Sequence, residues 1–151
     1  GRLQFTAMSE TENFSFVHTQ RVRWTEVDLQ GVVFFGHYYA YFDHGMTEYF
    51  RTLGYPYPDS FVDETTDTFI KHCECDYAAS ARYDDVIDIH VRMARMGRSS
   101  MNLAFQITRE GELLVTGSVV YVFANPHTRK SKPIPDTLRA AVEAFESSAN
   151  Q

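Results

Sequence analysis

The feature that most constrains this chain is a single change of apolar spacing. From Phe16 to Val27 the residues alternate, with Val22 and Trp24 on one face and Arg21 and Arg23 on the other. From about His37 the apolar residues Tyr38, Phe42, Met46, Tyr49, Phe50 and Leu53 recur at three and four, while Asp43, His44, Thr47, Glu48 and Arg51 share the other side. The first pattern predicts a half-buried strand and the second an amphipathic helix, stopped by Gly54 and Pro56. Alternation then returns in four segments, Phe69–Ala79, Val86–Met96, Met101–Arg109 and Leu113–Phe123. The last two are joined by Arg109-Glu110-Gly111-Glu112, a hairpin-type turn. A short final helix is expected from Pro135 to Phe145, with Leu138, Ala141, Val142 and Phe145 as its apolar set. One long helix against a mostly antiparallel sheet of five strands is an α+β layer architecture.

A length of 151 residues with 44% hydrophobic and 15% aromatic content suits one domain, placed at residues 14–147. Gly1 to Ala7 ahead of Met8 is expected to be an expression remnant, and residues 1–13 together a disordered N-terminus. The net charge of -6 and the lack of a long basic run argue against nucleic acid as a partner. The apolar runs are too short for a membrane span and no signal pattern opens the chain, so a cytoplasmic location is expected. Cys73 and Cys75, spaced C-x-C in a strand, are expected as buried or half-buried free thiols. His44 and Glu48 share the i, i+4 spacing of a metal pair, but two ligands do not make a site, and no metal is expected.

The stretch from Trp24 to Phe42 carries the chemistry. It places Asp28 in a turn with Gly31, just before a helix whose first backbone N–H groups lack partners within the helix. Such N–H groups, with the helix dipole behind them, stabilise an oxyanion. A carboxylate facing the same point either attacks an activated carbonyl or deprotonates water that does. Taken alone, an Asp two or three residues before Gly in a turn is usually a structural turn residue.

The run Asp28, Gly31, Val32-Val33-Phe34-Phe35 and Tyr38-Tyr39-Ala40-Tyr41-Phe42, with the later Tyr83-Asp84-Asp85-Val86, resembles the 4-hydroxybenzoyl-CoA thioesterase family of hot-dog proteins. The resemblance extends from about Val17 to Phe123. It implies a hot-dog fold, in which a curved sheet wraps the long central helix, and hydrolysis of an acyl- or aryl-CoA thioester with no cofactor beyond the coenzyme A of the substrate. It further implies Asp28 as nucleophile or general base and the backbone N–H of Phe35 or Gly36 as oxyanion donor. A homodimer or homotetramer with the site at the subunit boundary is also implied. One subgroup has histidine where this chain has Phe35, so chemistry dependent on that imidazole is not available here.

Gly31, His37, Tyr38, Arg98 and Ser99 are the expected substrate-binding residues. Arg98 leads the candidates for the coenzyme phosphates, ahead of Arg95, Arg129, Lys130 and Lys132. Phe34, Phe35, Tyr38, Tyr39 and Phe61 could line an acyl pocket, and His37 could instead cap or pack the helix entrance. Glu48 is the rival catalytic carboxylate, set against its use in an ion pair with neighbours such as Arg51. The rival functions are a non-hydrolysing module that binds acyl-CoA or acyl carrier protein, and a hydratase or dehydratase, which would need a histidine paired with a carboxylate.

Overall fold

A computed structural model describes residues 13–149, so the expectation for the N-terminal segment falls almost wholly outside the described residues. The strands are β1 (Phe16–Arg21), β2 (Asp67–Tyr77), β3 (Val86–Met96), β4 (Ser100–Arg109) and β5 (Glu112–Ala124). They form one antiparallel sheet in the order β1-β3-β4-β5-β2. Helix α1 (His37–Thr52) lies between β1 and β2 in sequence, and helix α2 (Asp136–Ala149) follows β5.

The alternation that announced β3 is the alternation it buries: Ile87, Ile89, Val91 and Met93 face the core while their neighbours do not. The β4–β5 turn places Glu110 at φ 50° and Gly111 at φ 80°. Two successive positive φ values are what a two-residue hairpin needs to follow the strand twist.

Helix α1 buries Tyr38, Tyr41, Phe42, Gly45, Met46, Tyr49 and Phe50. The expected stripe is present, widened by Tyr41 and Gly45. A Cβ at position 45 would sit 2.7 Å from a methyl of Ile89 and 3.0 Å from one of Val91, so glycine lets the helix backbone approach β3. Helix α2 buries Leu138 and Val142 and closes the core from one side. Its Glu146 accepts hydrogen bonds from the Tyr49 hydroxyl at 2.7 Å and the Ser15 hydroxyl at 2.6 Å, which ties α2 to α1 and to the segment before β1.

Two expectations need correction. Alternation carries the first strand to Val27, but it ends at Arg21, and Trp24–Glu26 form a 3-10 turn. Val22 is buried at 1% exposure whereas Trp24 stands out at 77%, so the two do not share a face. The cause is local: beyond the in-register bond from the Val22 N–H to the Asp85 carbonyl, the Val22 carbonyl accepts from Asp84, at φ 71°, instead of from Asp85, and the Glu26 side chain folds back to accept the Arg23 N–H at 2.8 Å. Cys73 is exposed, where a buried or half-buried thiol was expected, because β2 is an edge strand; Cys75 is half-buried, and both are free.

The Ser80–Asp85 loop supports the segment before α1. Ala81 accepts the Val33 N–H and donates its own N–H to the Tyr38 hydroxyl at 3.0 Å. Asp85 anchors that loop by accepting from Arg109 at 2.6 Å and from the Arg82 N–H at 2.8 Å. Burial alone would raise the Asp85 carboxyl, but these bonds outweigh it and hold it below the ordinary carboxylate range. A depressed folded value means the stabilisation is present above the unfolded carboxylate range and is lost as pH falls through the folded value. Asp85→Asn is therefore expected to cost about 1–2 kcal/mol at pH 7 and progressively less below about pH 4. Urea midpoints for both proteins across that range should converge on the acid side; curves that stay parallel would remove Asp85 from the account.

Candidate active site

The segment between β1 and α1 is a small hairpin. Val27 and Val33 pair, the Asp28 N–H donates to the Val32 carbonyl at 2.9 Å, and the Phe34 N–H donates to the Glu26 carbonyl at 3.1 Å. Its tip is closed by the Gly31 N–H on the Asp28 carbonyl at 2.9 Å, with Gly31 at φ 79°, a conformation that favours glycine. One carboxylate oxygen of Asp28 accepts the Gln30 N–H at 2.8 Å, so Asp28 does serve the turn. Its other oxygen has no protein partner among the described residues. Asp28 is half-buried and lines an open concavity of about 490 Å³ with Trp24, Thr25, Val27 and Leu29.

The hairpin delivers the chain into α1 at Gly36, which makes no side-chain cap bond. Among the described residues the N–H groups of Phe35 and Gly36 donate to no protein acceptor. The Phe35 carbonyl accepts the Tyr77 hydroxyl at 2.8 Å. In a trans peptide the N–H points opposite to the C=O, so this bond fixes the Phe35–Gly36 peptide plane and turns the Gly36 N–H away from Tyr77. Burial raises the Tyr77 phenol, which keeps it a donor at neutral pH. Nothing in the sequence singled out this residue.

The hairpin also contains a carboxylate that the alternating pattern does not single out. Glu26 is 6% exposed. Besides the Arg23 N–H it accepts the Tyr41 hydroxyl at 2.7 Å, and its second oxygen is 3.7 Å from His37 Nε2. Burial, and next the bond to Glu26, push the Tyr41 phenol far above its ordinary value, so it remains a donor. His37 occupies the first turn of α1 without capping it, with its ring edge-on to Tyr41 at 5.4 Å.

The remaining sequence candidates are spread apart. Tyr38 is 2% exposed and part of the core, as is Phe61, stacked on Phe123; both were expected at the substrate. Phe34 and Phe35 are exposed and pack on each other at 4.7 Å, and Tyr39 is half-buried against Phe42. Arg98 and Ser99 lie in the β3–β4 turn, whereas the Asp28 hairpin follows β1 at the opposite end of β3, because Arg21 pairs with Val86. The length of β3, 11 residues at about 3.3 Å each, separates them within one chain. The Arg98 carbonyl accepts the Ile134 N–H, which joins this turn to the segment before α2. Nearby, Lys132 donates to Thr65 and Thr66, and Arg129 lies over the Phe69 ring. Glu48 is ion-paired with Arg51 at 3.4 Å, while His44 meets Gln20 instead of Glu48.

A family model described as the thioesterase-like superfamily matches residues 22–142, the hairpin, the helix and the sheet together. The chain belongs to this superfamily. Among curated relatives, the acyl-CoA thioester hydrolase YbgC of Escherichia coli O6:H1 is 26% identical over 121 residues, covering 80% of this chain and 90% of that protein. A 1,4-dihydroxy-2-naphthoyl-CoA hydrolase of Prochlorococcus marinus is 28% identical over 116 residues, covering 72% and 75%. Among solved structures, a Pseudomonas aeruginosa protein superposes with a TM-score of 0.78 at 27% identity, over 89% of this chain and 94% of its own. A 1,4-dihydroxy-2-naphthoyl-CoA thioesterase from Synechocystis gives a TM-score of 0.80 at 16% identity, over 84% and 94%, which shows the shared hot-dog fold of this thioesterase-like chain.

Within this superfamily member, the Tyr41 hydroxyl is a buried donor to a buried acceptor. Tyr41→Phe removes it and leaves the Glu26 carboxylate one bond short, for an expected loss of about 1–3 kcal/mol. Chemical denaturation of the variant measures the loss directly, and an unchanged midpoint would mean that the bond carries no net stability.

Proposed function

We propose that this protein hydrolyses the thioester of an acyl- or aryl-CoA to the free acid and coenzyme A. Asp28 is the nucleophile or general base and the Gly36 or Phe35 N–H is the oxyanion donor. The observation that carries the reading is the hairpin itself: it holds the Asp28 carboxylate, one oxygen without a protein partner among the described residues, at an open concavity, and then delivers the chain into the Phe35 and Gly36 amides, which have no protein acceptor among those residues. As general base, Asp28 takes a proton from water, whose oxygen adds to the thioester carbon. As nucleophile, its oxygen adds to that carbon, the thiolate departs, and water cleaves the mixed anhydride. In both courses negative charge develops on the carbonyl oxygen, where a fixed N–H at a helix N-terminus stabilises it. The thiolate of coenzyme A leaves readily and takes up a proton afterwards, so water is the only co-substrate and no prosthetic group takes part.

The match to a family that includes both acyl and aryl thioester hydrolases by name supports the substrate class. The opposite placement of Arg98 and Ser99 fits a site completed by a second copy. In that arrangement the coenzyme phosphates reach the β3–β4 turn of the partner subunit. The edge strand β2 offers 11 residues with exposed Ile70 and Tyr77 for pairing between copies. Homodimer and homotetramer both satisfy this geometry.

Asparagine at position 28 keeps an oxygen for the Gln30 N–H and so preserves the turn while removing the charge. Asp28→Asn is expected to lower turnover by about a thousandfold or more, a loss of about 4 kcal/mol in transition-state stabilisation, with substrate binding retained. Free-thiol release from acetyl-, hexanoyl-, palmitoyl-, benzoyl- and hydroxybenzoyl-CoA, with product analysis, provides the check. Unaltered turnover would move the chemistry to another carboxylate, binding without thiol release by the wild type would favour the acyl-CoA module, and addition of water across the double bond of an enoyl-CoA added to the panel, with its thioester whole, would indicate a hydratase.

A further inference from the structure

The reaction as written leaves Glu26 unused, although it is one of few buried polar side chains among the described residues. Burying a carboxylate is expensive unless its charge meets a partner. Two of its contacts do not require the charge, since a glutamine oxygen would accept the Arg23 N–H and the Tyr41 hydroxyl equally well. What glutamine could not reproduce is a negative oxygen facing the His37 imidazole at 3.7 Å. His37 Nδ1, on the other side of the ring, has no protein partner among the described residues, and the side chain remains 33% exposed at the first turn of α1.

We infer that Glu26 is a positioning residue: it holds the His37 ring with Nε2–H toward the protein and presents Nδ1 as a hydrogen-bond acceptor at the mouth of α1. At 3.7 Å the contact is electrostatic and not a hydrogen bond, but a carboxylate facing Nε2 favours the proton there, and Nδ1, on the residue that follows Gly36 in the chain, is left to accept from a water molecule. His37 thereby orients the attacking water through its lone pair, while Asp28 acts on that water or on the thioester carbon. No bond to His37 forms or breaks. This inference rests on the thioesterase reading above and adds to it a second polar group at the same carbonyl, with a buried residue that sets its orientation.

The test combines ring ¹⁵N spectra with a double-variant cycle on the full chain. Spectra of wild type and Glu26→Gln are compared, with the His37 signals identified by their loss in His37→Asn. Turnover of the wild type, both single variants and the double variant is measured on the best substrate of the thioester panel. The expected spectrum is the Nε2-protonated tautomer in the wild type and a shift toward a mixture in Glu26→Gln. Each single variant is expected to lose about tenfold in kcat with KM changed less than about twofold, and the double variant to be no slower than the slower single. His37→Asn alters a partly exposed side chain and keeps the cycle informative should Glu26→Gln fold poorly. An unchanged His37 spectrum, or losses that multiply in the double variant, would overturn the inference. A wild type that releases no thiol from any thioester would overturn the functional reading instead, and the tautomer shift distinguishes the two failures.

Discussion

The closeness of helix α1 to β3 is the constraint on which the rest depends. Gly45 permits it, since any side chain there would collide with Ile89 and Val91. At that separation Tyr41, Phe42, Tyr49 and Phe50 are all fully buried between helix and sheet, and Phe42 stacks on Phe105 of β4 at 4.7 Å. An aromatic helix face packed this tightly cannot slide along its axis without displacing several rings. The position of its N-terminus is consequently fixed by the core, far from any substrate. The unpaired amides of Phe35 and Gly36 inherit that rigidity, and preorganised donors are worth more to a developing oxyanion than donors that must first be ordered.

The hairpin before α1 converts this rigidity into a site. Its strands are short, and it depends on the contacts that flank it: Val33 on the Ala81 carbonyl, Tyr77 on the Phe35 carbonyl, Phe34 on the Glu26 carbonyl. Glu26 and Asp28 divide two tasks between similar side chains. Glu26 is enclosed, with donors on one oxygen and an imidazole facing the other, and holds structure together. Asp28 lies at an open concavity with one oxygen committed to the turn and the other without a protein partner among the described residues. The difference between the two carboxylates comes from their surroundings, in the same way that paired carboxylates in many hydrolases take different roles.

Most elements were legible because their periodicities agree with their burial. Strand β3 and helix α1 stand where the spacing of Ile87, Ile89, Val91 and of Tyr38, Phe42, Met46, Tyr49 put them. The first strand was read too long because Trp24 and Glu26 continue the alternation of Val22 in sequence while the backbone has already turned. Alternation cannot show that the Val22 carbonyl takes the Asp84 N–H where the ladder would supply that of Asp85. Of the candidate site, Asp28, Gly31, Phe35 and Gly36 were legible as a local motif and lie in one hairpin. Glu26 was not, since nothing in a charged residue two positions after Trp24 in an apparent strand shows that it is buried. Tyr77 was hidden for a different reason: its bond to Phe35 joins residues 42 positions apart, and only tertiary structure brings them together. Tyr38 carried an aromatic label at a helix start that fits a ligand as well as a core, and burial decided for the core. Arg98 and Ser99 stand at the far end of the sheet, a separation that a sequence does not display.

The central claim is that the thioester carbonyl reacts between Asp28 and the start of α1. A crystal structure of Asp28→Asn holding an uncleaved acyl- or aryl-CoA tests it most directly. The account predicts the carbonyl oxygen about 3 Å from the Gly36 or Phe35 N–H, the side chain at position 28 facing the carbonyl carbon. A thioester bound elsewhere, for example against Glu48 and Arg51, with the Gly36 and Phe35 amides turned to solvent, would contradict it.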